Sequence, residues 1–83
     1  MALSHVPHEL AEEFPSDVDT IHELKMANAH FAKLFDEYHV VNRQIHRVET
    51  GIEPTTDEHA IDLRKQRLYL KDEIAAMLSQ ARA

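Results

Sequence analysis

No cysteine occurs among the 83 residues. That excludes a disulfide framework, a thiolate metal site and a cysteine nucleophile, and it fits a reducing, cytoplasmic setting. Glycine occurs once and proline three times, so little interrupts a helix and no glycine-rich loop is available to hold a phosphate. No long apolar run reads as a membrane span, and no basic stretch followed by an apolar one reads as a signal peptide; no membrane contact is expected. Basic residues are missing from the first twenty positions, which carry Glu9, Glu12, Glu13, Asp17 and Asp19. The net charge is −6, and the remainder of the chain is near balance. An acidic arm on a near-neutral body disfavours bulk attraction to phosphates or anionic lipid. The length allows one small domain, with a modest core.

What is present is helical periodicity. Leu24, Ala27, Phe31, Leu34, Tyr38, Val41, Ile45 and Val48 recur with alternating gaps of three and four, the a/d stripe of a heptad. Ala60, Leu63, Arg67, Leu70, Ile74, Met77 and Ala81 repeat the pattern after a short break. Residues 1–15 form an acidic N-terminal arm, in which Leu10 and Phe14 share a side between Pro7 and Pro15. Ser16 is the expected N-cap, with Asp19 as its capping-box acid. A first helix is predicted over about 17–49, ended by Thr50 and by Gly51 as a left-handed C-cap. The turn spans 50–56. Thr55 or Thr56 caps a second helix over about 57–80, and Thr55 with Glu58 makes a further capping box.

A connection of seven residues favours an all-α fold, an antiparallel two-helix hairpin over 16–83. Folding about Pro54 pairs Val48 with Ala60, Ile45 with Leu63, Val41 with Arg67, Tyr38 with Leu70, Leu34 with Ile74, Phe31 with Met77 and Ala27 with Ala81. Only Arg67 is polar. Its stem is expected along Val41 and its head near Tyr38 or Glu37. Off the seam, Arg47 comes near the level of Glu58 and Arg43 near Asp62.

Three stretches carry a family resemblance. They are Phe14-Pro15 followed by Ile21-His22-Glu23-Leu24-Lys25, then His30 through His39, and Arg67-Leu68-Tyr69-Leu70-Lys71-Asp72-Glu73-Ile74. The turn Gly51-Ile52-Glu53-Pro54 running into Asp57-Glu58 completes the pattern. Over about residues 9–78 the chain resembles the YdcH-like family of small bacterial proteins, whose molecular function is not established. The resemblance implies a two-helix hairpin and brings no activity, cofactor or substrate.

The residues themselves offer little chemistry. Seven histidines raise a metal site, but His39 and His46 lie two turns apart, about 10 Å, too far for one zinc ion. His5 and His8 flank Pro7, and His22-Glu23 lacks the second histidine of a zinc-protease motif. No metal or cofactor is expected. The histidines instead make the surface titrate between about pH 6 and 7. Paired carboxylates at Glu12-Glu13, Asp36-Glu37, Asp57-Glu58 and Asp72-Glu73 have no enclosed pocket in which to converge, and suit solvated faces and helix starts better than acid–base catalysis. An enzyme is not expected.

Arg64, Lys65, Arg67 and Lys71 form the one basic stretch, a thin candidate for anion contact. Ile61, Leu68 and Ala75, spaced by seven, point away from the seam, and Met26 and Val40 are also off it while Phe35 borders it. A second apolar stripe on one helix marks a contact surface. Val18 and Ile21 are expected to join it, because they begin beyond the end of the partner helix. The function read from this pattern is a self-associating protein-interaction module or regulatory adaptor, a homo-oligomer with an additional protein partner admitted. The alternative is a small nucleic-acid-associated factor using Arg64 to Lys71.

Overall fold

Between Asp57 and Arg82 the chain runs as one helix (α4), the longest of four. The computed structural model describes residues 6–82, and all regular structure there is helical: α1 (Leu10–Glu13), α2 (Val18–Ala27), α3 (Ala29–Glu49) and α4. A 3-10 turn, Pro15–Asp17, joins α1 to α2. Residues 1–5 of the arm, with the His5 considered for metal binding, lie outside the described residues.

The expected helix over 17–49 is two helices. Asn28 adopts extended backbone (φ −135°, ψ 110°), and its side-chain oxygen accepts the Phe31 N–H at 3.0 Å. Asparagine is among the best N-caps because its short carbonyl reaches a free amide of the first turn. Here it starts a new helix in the middle of a continuous apolar pattern. The first break also differs from expectation. Ser16 lies inside the 3-10 turn and α2 begins at Val18 without a side-chain cap.

The second turn follows the chemistry of its residues. Gly51 takes φ +79°. The Ile52 N–H donates to the Arg47 carbonyl at 3.0 Å and the Gly51 N–H to the Val48 carbonyl at 3.2 Å, the paired bonds by which a left-handed residue closes a helix end. Thr56, rather than Thr55, caps α4, its hydroxyl accepting the His59 N–H at 3.1 Å.

The core draws on every helix. Phe31, Leu34, Tyr38, Val41 and Ile45 of α3 and Leu63, Leu70, Ile74 and Leu78 of α4 are buried with Leu10 and Ile21. Val48, Ala60, Arg67 and Met77 are half-buried, and Ala27 and Ala81 are exposed. The expected α4 stripe therefore holds to Ile74 and then turns. Leu78 replaces Met77 because a straight helix repeats every 3.6 residues, so successive four-residue steps rotate the buried face by about 40° each. That rotation follows the cover: α2 packs on both α3 and α4, and Arg82, one turn past Leu78, reaches Asp17.

Candidate functional site

The N-terminal arm packs along one flank of the α3–α4 pair. The Tyr38 hydroxyl donates to the His8 carbonyl, and Asn42 Nδ2 donates to the Pro7 carbonyl at 2.9 Å. His8 stands in the left-handed region at φ +64°, where histidine is enriched among non-glycine residues. Asn42, wholly buried, also accepts from Arg67 Nη1 at 3.0 Å. A buried amide is tolerated because both of its ends are partnered. Arg67 thus turns its head to Asn42 rather than to Tyr38 or Glu37.

The acids of the arm are spent on the same flank. Glu9 Oε1 accepts from Arg43 at 3.2 Å, and Glu9 Oε2 lies 3.1 Å from His39 Nδ1. Oε2 is buried without another hydrogen-bond partner, so it is satisfied only when that imidazole nitrogen carries a proton. Glu13 accepts from Lys71 Nζ at 2.8 Å, and Asp17 from Arg82 at 2.6 Å. The Lys71 hydrogen bond holds the Glu13 carboxyl below its ordinary pKa. Burial, reinforced by the Glu13 charge, pushes the Tyr38 phenol up to about 12, so it remains a donor to the arm. Arg47 pairs with Glu53, not Glu58, and Arg43 with Glu9, not Asp62.

The opposite flank is open. There α3 and α4 enclose a groove of about 840 Å³ with Leu34, Val41 and Leu70 toward the core and Val40 and Tyr69 at its edges. Val40 is 60% exposed and Tyr69 64%; Leu68, at 59%, is exposed on α4 but does not line the groove. Asp36 and Glu37 edge the groove from α3 and Lys65 from α4. Unlike the acids of the arm, Asp36, Glu37 and Lys65 form no ion pair among the described residues.

The residues singled out in the sequence are divided by this arrangement. Ile61 (48% exposed) and Leu68 stand in solvent on α4, while Ala75 is half-buried. Ile21, expected to lack intrachain cover, is 5% exposed, and Val18 is half-buried in a small cleft with Leu10 and Phe35. The arm folds back over α3, so these two residues belong to the covered flank and not to an exposed contact. The basic stretch is broken up as well. Arg64 pairs with Glu49, Arg67 binds Asn42 and Lys71 binds Glu13, leaving Lys65 at the groove. Sequence reasoning noted Val40 as off the seam but missed Tyr69. The wheel position of Tyr69, about 100° from its seam neighbour Leu70, was the available signal.

Among the described residues no group of three His, Cys, Asp or Glu side chains could hold a metal ion, and no helix is long and apolar enough to cross a membrane. The groove is walled on two sides by α3 and α4, with the apolar Leu34, Val41 and Leu70 toward its floor.

Comparison with known proteins identifies a family without an assigned activity. Residues 31–78 match the family described as "Protein of unknown function (DUF465)". The chain is 34% identical over 67 residues to a protein of Escherichia coli strain K12 named "Uncharacterized protein YdcH", covering 81% of this chain and 90% of that protein. A Shigella flexneri protein of the same name matches to the same extent. No solved structure matches.

Proposed function

We propose a non-enzymatic role for this chain from one premise: it belongs to the DUF465 family, proteins of unknown function, so no activity comes with the membership. The chain is read as a protein-interaction module that self-associates and serves as an adaptor or regulatory partner, framed by an antiparallel pair of helices, α3 and α4. The open flank carries this reading. Single exposed apolar residues are ordinary, but Val40 and Tyr69 edge one groove between two packed helices, and contiguous apolar surface marks a contact site. Burying a side chain such as Val40 in a neighbour is worth roughly 1.5–3 kcal/mol. That is large beside the roughly 4–12 kcal/mol of total stability typical of a chain this size.

Light scattering over a dilution series tests the reading. A mass above the monomer is expected at micromolar concentration, with Tyr69→Lys at the groove edge shifting it toward the monomer. A monomer mass up to about 100 µM, a binding free energy near −5.5 kcal/mol, removes self-association. The nucleic-acid alternative has little support, because three of its four cations are engaged within the chain; salt-dependent retention on DNA or RNA would restore it.

A further inference from the structure

We propose that Asn28 is a hinge at which α2 and α3 join into one helix, and that two such chains exchange N-terminal arms, each arm covering the other copy's α3–α4 pair. The inference rests on the self-association reading above but uses the covered flank, not the groove. Asn28 is the only non-helical residue between Val18 and Glu49. The helical ladder reaches it from both sides: its N–H donates to the Leu24 carbonyl at 2.8 Å, and its carbonyl accepts from the Ala32 N–H at 3.0 Å. Only the bonds from Ala29 to Lys25, His30 to Met26 and Phe31 to Ala27 are missing from a continuous helix. The Asn28 side chain replaces the last of these. Turning this one residue from extended to helical backbone restores all three. No glycine or proline opposes that over residues 16–50.

Straightening carries the arm off its own flank, withdrawing Leu10 and Ile21 from their buried sites and freeing Arg43, Lys71 and Arg82 from Glu9, Glu13 and Asp17. A second copy brings the same arm, so reciprocal exchange remakes these contacts and adds the three backbone bonds in each chain. The register allows it. In the folded chain α2 turns back along α3, so that Lys25 Nζ sits 3.9 Å over the Phe35 ring and Ile21 shares a cleft with Phe35 and His39. Ile21, Lys25, Asn28, Ala32, Phe35 and His39 follow one another at gaps of four and three, which is one stripe of a continuous helix. Ile21 and Phe35 each stand seven residues from Asn28. Two straight helices can lie antiparallel on this stripe, about a two-fold axis between them and perpendicular to both at Asn28. Each Ile21 then meets the other copy's Phe35. The second helices do not collide. Asn42 meets Arg67 and Glu49 meets Arg64, which sets Arg82, the last residue of α4, near the level of Asn28, so each α4 stays on its own side of the axis.

The test is run in Tyr69→Lys chains, so that the groove's apolar edge does not contribute. Samples are refolded at about 100 µM, dissociation constants come from sedimentation and helix content from circular dichroism. Asn28→Ala removes the cap and puts the best helix former at the hinge. It should dimerise at least about tenfold more tightly than the chain with Asn28, at no lower helix content. Asn28→Asp keeps a capping acceptor and should stay within about threefold of Asn28. Glu13→Lys and Lys71→Glu, made with either Asn or Ala at position 28, each set like charges together, in a monomer and in an exchanged dimer alike. Mixed in equal amounts and refolded together, they restore both pairs only when the arm of each copy lies on the other. The mixture should bind at least about tenfold more tightly than either variant alone. A folded Asn28→Ala chain that stays monomeric overturns the exchange, as does an Asn28→Asp chain that dimerises equally well. A mixture no tighter than its components also overturns it, whichever residue stands at position 28. Association through the groove, read in chains that keep Tyr69, stands or falls separately.

Discussion

The two flanks of the α3–α4 pair are built from similar material and have opposite fates. On one, Leu10, Ile21 and Leu78 are buried under the arm and α2, and Glu9, Glu13 and Asp17 each find a cation of α3 or α4. On the other, Val40 and Tyr69 stand in water and Asp36, Glu37 and Lys65 have no such partner. Both flanks are mixed apolar and charged. The difference lies in what the chain brings to them. About twenty N-terminal residues supply the apolar anchors and the acids for one side, and nothing in the described chain is left for the other. The acidic arm is a fitted cover over one side of the pair.

The comparison is broken most directly at the arm. Leu10→Ala should cost about 2–4 kcal/mol, because it empties a fully buried site under a helix of only four residues. Thermal melts would measure it, and a cost below about 1 kcal/mol would mean that the arm is not part of the core. Asn42→Ala should cost about 1–3 kcal/mol, since the Pro7 carbonyl and the Arg67 guanidinium both lose a partner; denaturant titration reads this out.

Acid should loosen the covered flank in particular. Glu13 is held below its ordinary value of 4.5 in the folded chain, so the unfolded chain takes up the proton first as pH falls. The contribution of this carboxyl is complete above about pH 4.5 and is lost as pH drops through the lowered folded value. Lys71→Met removes the main cause. The fall in melting temperature between pH 7 and pH 3 should be smaller in that variant than in the wild type; an equal fall would remove Glu13 as the titrating latch. The smallest effect belongs to the open flank. Val40→Ala should change the stability of the dilute chain by under about 0.5 kcal/mol, as surface substitutions do. A cost approaching that of Leu10→Ala in dilute solution would show the groove closed by the chain itself.

Much of the helical content was legible because apolar spacing reports the side of a helix that is buried. Phe31, Leu34, Tyr38, Val41, Ile45, Leu63, Leu70 and Ile74 were all placed on a seam by gaps of three and four, and all are buried. The break at Asn28 was written in a good N-cap residue, but the apolar stripe runs through it unchanged, and periodicity outweighed the cap. Leu78 was missed because a strict heptad was carried past the point where a straight helix drifts from it. Asn42 and the two N-terminal residues Val18 and Ile21 could not be read. Asn42 binds the Pro7 carbonyl 35 positions away, and Val18 and Ile21 share a cleft with Leu10 and Phe35; local spacing holds no record of either return.

By itself, then, the sequence determined which stretches are helical, where Gly51 turns the chain and which side of α3 faces α4, because these follow from short-range periodicity and backbone preference. The tertiary structure decided which flank is covered. That outcome rests on the fit of Leu10 and Ile21 against the α3–α4 pair and on the meeting of Glu9 with Arg43, Glu13 with Lys71 and Asp17 with Arg82. Such contacts join residues 34, 58 and 65 positions apart. Their free energy exists only once the chain has closed those distances, so it leaves no local pattern to read.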